Sequence, residues 1–128
     1  MSRFVRPDTR TLTLANGDTV IVRARLTAGE TRAHFARMMS VDGNGFVKRN
    51  PMMSGISLIV SYLLDWNFKD DAGQVVQIRD LSADELATVI DSLDMPSFNE
   101  LRVAIENHET AMDDEKKTTD GATPSLAI

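Results

Sequence analysis

Twice in this chain a strand-forming stretch runs into the same helix-opening phrase, and this pattern restricts the fold more than any other feature of the sequence. Val20-Ile21-Val22 leads to Leu26-Thr27-Ala28-Gly29-Glu30, and Val75-Val76-Gln77-Ile78 leads to Leu81-Ser82-Ala83-Asp84-Glu85. In each phrase the hydroxyl residue caps a helix and the glutamate three positions on reaches back to the cap, so two otherwise unpaired amides are satisfied. Leu81 and Leu86 are placed for a hydrophobic staple. Two copies of one cap logic reflect the same local physics reused, and do not amount to a repeat protein. Ser97 with Glu100 offers a third pair of this kind, opening a last helix expected to run to about Lys117.

Ahead of the first phrase, Asn16-Gly17 separates two β-rich runs and predicts a hairpin. A bare two-residue turn would scatter the apolar residues over both faces. A loop of Ala15, Asn16 and Gly17, with Gly17 left-handed, gathers Leu12, Leu14, Val20, Val22, Ala24 and Leu26 on one face and is preferred. The first helix should span Thr27 to about Met39. The glycine- and asparagine-rich stretch from Ser40 to Pro51 reads as a mobile loop. From about Ser54 to Leu64 the chain is apolar on nearly all sides, as expected of a helix that is buried or lies in an interface. Asp65 to Phe68 and Gln74 to Arg79, around the turn at Asp70-Asp71-Ala72-Gly73, predict a second hairpin. In the last helix Phe98, Leu101, Ile105, His108 and Met112 step by three and four along one narrow seam. The expected fold is therefore α+β: two β-hairpins forming a small antiparallel sheet packed against about four α-helices, in one domain over residues 1–117, with a flexible tail over 118–128.

The charges are unevenly spread. Residues 1–64 carry nine Lys or Arg against four acids, and residues 65–128 carry five against fifteen, giving +5 and −10. Such polarity can steer encounters or favour head-to-tail self-association, and a net-acidic chain is a poor general binder of nucleic acid. The arginines of the first half are not interleaved with aromatics as a single-strand binder requires, so nucleic acid is not an expected partner. Neither is a membrane, since the longest apolar run falls far short of the ~20 residues that span one. The absence of cysteine fits a reducing compartment, and the first residues lack a signal peptide's apolar run, so the expected location is the cytoplasm.

The residues give no positive sign of catalysis or of a cofactor. His34 and His108 stand far apart without ligand-spaced companions, so no metal site is expected; His34 reads as a surface residue, and His108 as a helix-face residue with its polar edge in water. Asp70-Asp71-Ala72-Gly73 lacks the later ligands of a calcium loop, and Gly43-Asn44-Gly45 lacks the strand and lysine of a phosphate loop. What remains is protein binding. Methionine is unbranched and repacks cheaply, which suits a surface that must adapt to a partner. Met38, Met39, Met52 and Met53 flank the expected loop and, with Phe35 and Phe46, are the candidate lining of a groove for a helical segment. The competing role, filling the protein's own core, applies most to Phe35 and Met38.

Four stretches carry a resemblance: Arg10-Thr11-Leu12-Thr13-Leu14-Ala15-Asn16-Gly17-Asp18, the basic strand into Leu26-Thr27-Ala28-Gly29-Glu30, Tyr62-Leu63-Leu64-Asp65-Trp66, and Ala104-Ile105-Glu106-Asn107-His108-Glu109. Over about residues 8–115 the chain resembles the small tail assembly chaperones of long-tailed bacteriophages. The resemblance implies a protein of the host bacterial cytoplasm that coats the tape measure protein, keeps it soluble, gives way as tail tube protein polymerises, and is not retained in the mature virion. It also implies a longer, frameshifted form of the same chain as a further partner; Lys116-Lys117 ahead of a polar tail would suit such a site. A homo-oligomer is a further expectation. The alternative is a structural virion protein, a minor tail or connector subunit, for which the +5 and −10 halves would favour rings or stacks.

Overall fold

A computed structural model of the chain describes the backbone of residues 2–121 and the side chains of residues 2–115. Strands β1 (Thr9–Thr13) and β2 (Thr19–Arg23) form the first hairpin, with Leu12 opposite Val20 and Thr13 opposite Thr19. The Leu14 amide donates to the Asp18 carbonyl at 2.7 Å and Gly17 has φ +88°, so the loop is Ala15-Asn16-Gly17 as expected. That register turns Leu14, Val20, Val22 and Ala24 into the core. Helix α1 (Ala28–Met38) opens with the full reciprocal box of Thr27 and Glu30.

The stretch expected as a loop is instead a second hairpin. Strands β3 (Met39–Val41) and β4 (Val47–Arg49) pair antiparallel, with Met39 opposite Arg49 and Val41 opposite Val47. The turn is organised by Asp42, whose Oδ1 accepts from the amides of Asn44 (2.9 Å) and Phe46 (3.0 Å), and by Gly45 at φ +84°. Helix α2 (Pro51–Tyr62) follows at once, because the Asn50 side chain caps the Met52 amide and Pro51 is preset for the first helical position. Residues Ile56 to Tyr62 are all buried: α2 is the central helix, packed by α1 on one side.

Rather than continuing to Leu64, the helix stops at Tyr62 and the chain extends as β5 (Leu63–Trp66). This strand pairs with the free edge of β2, with Val20 opposite Trp66 and Ile21 opposite Asp65, giving a three-stranded sheet in the order β1-β2-β5. Gln74 to Arg79 does not return as a strand. The turn at Gly73 is closed by the Asp70 amide on the Gln74 carbonyl (2.8 Å), the Val76 amide on the Phe68 carbonyl (2.9 Å) and an isolated bridge between Lys69 and Val75, but no ladder extends beyond it; the Val76 carbonyl is taken by the Trp66 indole at 2.8 Å, and the chain then dips to bury Ile78. Asp80, at φ 66°, turns it into helix α3 (Ala83–Asp91), which opens with the expected box of Ser82 and Glu85.

Helix α4 (Met95–Gly121) starts ahead of the expected Ser97. Asp94 is its cap, accepting the Ser97 amide at 2.7 Å, a bond that also holds the Asp94 carboxyl below its usual pKa. Glu100 is engaged elsewhere, accepting the Ala15 amide at 2.8 Å across the fold. The helix passes Lys117 to reach Gly121, and the rest of the expected tail, 122–128, lies outside the described residues. Its seam is buried at Leu101, Ile105, His108 and Met112. The core thus lies between one face of the sheet and α2, α3 and α4, and the described residues form an α+β fold of four helices, one three-stranded sheet and one separate hairpin. Among the described residues no helix is long and apolar enough to cross a membrane.

Candidate protein-binding cleft and hairpin

Between α1, the first turns of α2 and the middle of α4 lies an open cleft of about 720 Å³. Its position follows from close helix contact on one side. Gly55 lets α2 meet α4, since a Cβ there would stand 3.0 Å from Arg102 Cδ and 3.2 Å from Phe98 Cζ. On the other side α1 is fixed to α2 by a polar network around Ser57, which is 1% exposed. Ser57 Oγ donates to the His34 carbonyl (3.0 Å) and so accepts from His34 Nδ1 (2.7 Å) and from Arg37 Nε (3.2 Å). Arg37 Nη2 donates to Ser61 Oγ at 2.7 Å, and Arg23 Nη1 to the Ser61 carbonyl at 2.8 Å.

His34 is therefore a half-buried bracing residue, correcting the expectation of a surface one. Burial, and after it the charge of Arg37, hold its pKa below the ordinary histidine value. The Ser57–His34 contact braces α1 on α2: with the hydroxyl proton given to the His34 carbonyl, the tautomer that serves Ser57 is the one in which Nδ1 carries the ring proton. His108 is likewise corrected. It is 7% exposed, and its Nε2 donates to the carbonyls of Arg23 (2.9 Å) and Ala24 (3.1 Å), tying α4 to the end of β2. Among the described residues no three His, Cys, Asp or Glu converge as a metal site would need.

The α4 wall of the cleft is acidic. Glu106 pairs with Arg102 (2.8 Å), Glu109 Oε2 accepts from the Tyr62 hydroxyl (3.1 Å), and Asp113 continues the row. Burial, then the neighbouring Glu109 carboxylate, push the Tyr62 phenol well above its usual pKa, so it remains a donor. The opposite side mixes apolar and polar groups, Phe35 and Met38 with Thr31 and His34 from α1, Pro51 and Leu58 with Ser54 from α2, and Arg49 from β4; Arg25 also lines the cleft beside α4, its Nη2 donating to the Met112 carbonyl at 3.3 Å.

The hairpin extends this side outward. Side chains alternate along strands and cross-strand partners share a face, so Met39, Val41 and Val47 lie on the same face as Arg49, which lines the cleft. Met39, Val41 and Val47 are all exposed, and Phe46, at the turn, is 67% exposed. A two-stranded hairpin whose apolar face lies open to water has little of its own to stabilise it.

The six candidate residues are thus distributed unequally. Phe35 and Met39 stand exposed at the cleft and its extension, and Phe46 at the hairpin tip; Met38, at 4% exposure, is taken into the core and forms the cleft floor. Met52, 87% exposed, and Met53 do not line the cleft: at about 100° per residue they point round α2 from the Pro51–Leu58 face. Sequence reasoning passed over Val41, Val47, Arg49 and the acidic wall. The signal for the first three was present in Asn44-Gly45, the same hairpin dipeptide as Asn16-Gly17, flanked by Val41 and by Phe46-Val47. No family model, no curated protein and no solved structure matches this chain.

Proposed function

We propose that the protein is a tail assembly chaperone of the kind it resembles, holding an apolar helical stretch of a phage tape measure protein in the host cytoplasm until tail tube protein displaces it. The observation that carries this is the exposed apolar face of the β3–β4 hairpin, continuous with a cleft whose nearer wall is Phe35 and Met38. An α-helix is about 10 Å wide, so a volume of about 720 Å³ takes in a little under two turns of one. A holdase needs grip of this kind and no bond chemistry.

The double substitution Phe35→Glu with Val47→Glu tests it. Both side chains are exposed, so the fold should survive. Each apolar side chain that binding would bury contributes about 1.5–3 kcal/mol, so the pair should weaken capture of tape measure fragments at least ~100-fold and return them to the insoluble fraction on co-expression. Solubilisation by a folded double variant at the wild-type level would overturn the proposal. The charge division between the two halves of the chain favours a second reading, a minor tail or connector subunit, and recovery of the protein in purified virions selects it over the chaperone.

A further inference from the structure

The dipeptide Asn-Gly occurs twice in the chain, at Asn16-Gly17 and at Asn44-Gly45, and each sits exposed in the turn of a hairpin. Chemically the two are the same. An asparagine carboxamide can be attacked by the backbone nitrogen of the next residue, and glycine, with no side chain, leaves that nitrogen least hindered. The fold holds the two differently. In both turns the glycine amide already donates a hydrogen bond, Gly17 to the Leu14 carbonyl and Gly45 to the Asp42 carbonyl, each at 3.0 Å. Attack therefore waits for the turn to open, and its rate follows the fraction of time the turn is open.

Opening the first turn disturbs Leu14, Val20 and Val22, all buried, in a hairpin that β5 extends to a three-stranded sheet. The Asn16 side chain is also engaged, its Oδ1 accepting from the Asp18 amide at 3.2 Å. The β3–β4 hairpin, by contrast, has three residue pairs, all exposed, and no third strand, so its opening uncovers no core. We propose that Asn44, and not Asn16, is a site of spontaneous deamidation, and that the rearranged product cannot rebuild the β3–β4 hairpin.

The Gly45 nitrogen gives its proton to solvent and bonds to Asn44 Cγ. The bond from Cγ to the side-chain nitrogen breaks, ammonia leaves, and a five-membered imide closes. Water then opens the ring. Where it cleaves the bond between the glycine nitrogen and the main-chain carbonyl carbon, the chain runs on through Cγ with one extra carbon, and the former main-chain carbonyl becomes a free carboxylate. The turn has no slack for that atom. Asp42 Oδ1 accepts from the Asn44 and Phe46 amides, and the Asp42 amide donates to the Phe46 carbonyl at 2.9 Å, all across the inserted position. Met39, Val41 and Val47 then no longer share a face. An occupant seated on that face would slow the reaction by holding the hairpin shut.

Trypsin places each dipeptide in its own peptide, residues 11–23 and 38–48, each with a single asparagine, so mass spectrometry of the full chain incubated in mildly alkaline buffer reads the two rates separately. In the folded chain the mass change from amide to acid should appear in 38–48 at least ~10-fold faster than in 11–23, and in urea the two rates should converge. By NMR, contacts between Val41 and Val47 should fade as the modified fraction grows. They should persist in Asn44→Gln, whose longer side chain does not close the ring readily. Equal rates at the two sites in the folded chain, or no reaction at Asn44 over a time in which the urea-unfolded chain reacts, overturns the site. Contacts between Val41 and Val47 that survive in the rearranged product overturn its effect on the hairpin.

Discussion

Replacing His108 by leucine removes one proton donor from the interior and should expose how α4 is held. In the structure the Nε2 proton is shared between the carbonyls of Arg23 and Ala24, at 2.9 and 3.1 Å, while the ring meets Tyr62 edge-on at 5.8 Å. Leucine fills most of the volume but donates nothing. The lost bond costs about 1 kcal/mol and a stranded buried carbonyl a further 1–3, partly offset by the more favourable burial of leucine, for a net loss of about 2 kcal/mol. In a domain of this size that corresponds to a fall in Tm of about 8 °C. His108→Gln is the control, since its terminal amide nitrogen reaches the position of Nε2; it should lose less than about 1 kcal/mol. The readout is built in. Trp66 is the one tryptophan of the sequence, buried and stacked on Phe68 at 4.4 Å, so urea unfolding followed by its fluorescence reports on the core directly. A leucine variant that unfolds at the wild-type midpoint, or a glutamine variant as weak as the leucine one, would show that the two carbonyl contacts do not anchor the helix.

His34 gives a pH prediction. Its folded-state pKa lies below the ordinary 6.5, so the unfolded chain takes up that proton more readily; the contribution of neutral His34 to stability is whole above 6.5 and is lost as the pH falls through the lowered folded value. His34→Asn keeps a nitrogen donor for Ser57 without a titrating ring, and should flatten the acid limb of urea midpoints measured from neutral pH downward; an unchanged acid limb would refute the assignment. At Gly55 a Cβ would stand 3.0 Å from Arg102 Cδ and 3.2 Å from Phe98 Cζ, so Gly55→Leu must push these side chains aside and should loosen α2 against α4 at a cost of about 1–3 kcal/mol, seen as a lower thermal midpoint. A Gly55→Leu chain of wild-type stability would mean that the two helices do not meet there.

Much of the local structure was legible because its causes lie within a few residues. Thr27 with Glu30 and Ser82 with Glu85 close their boxes over three positions, and Gly17 supplies the positive φ that a three-residue loop needs, which in turn fixes the face on which Leu14, Val20 and Val22 lie. The seam of α4 was legible for the same reason, since its period is that of the helix itself. The candidate site was legible only in part. The methionines and phenylalanines marked the right neighbourhood of the chain, but not which of them would be exposed, nor the acidic wall that α4 brings to the cleft from the far end of the sequence.

What the sequence determined by itself was the set of elements whose hydrogen bonds close locally: the first hairpin, the openings of α1 and α3, and the apolar seam of the last helix. Tertiary structure decided every case in which one group had two possible partners. Glu100 left the Ser97 cap for the Ala15 amide, β5 joined the open edge of β2 in place of Gln74 to Arg79, and His108 turned from water to two carbonyls more than eighty positions away. The last two of those choices satisfy backbone groups that packing cuts off from water, whereas Glu100 takes an amide of the exposed hairpin loop; which groups need a partner is known only once the chain has packed.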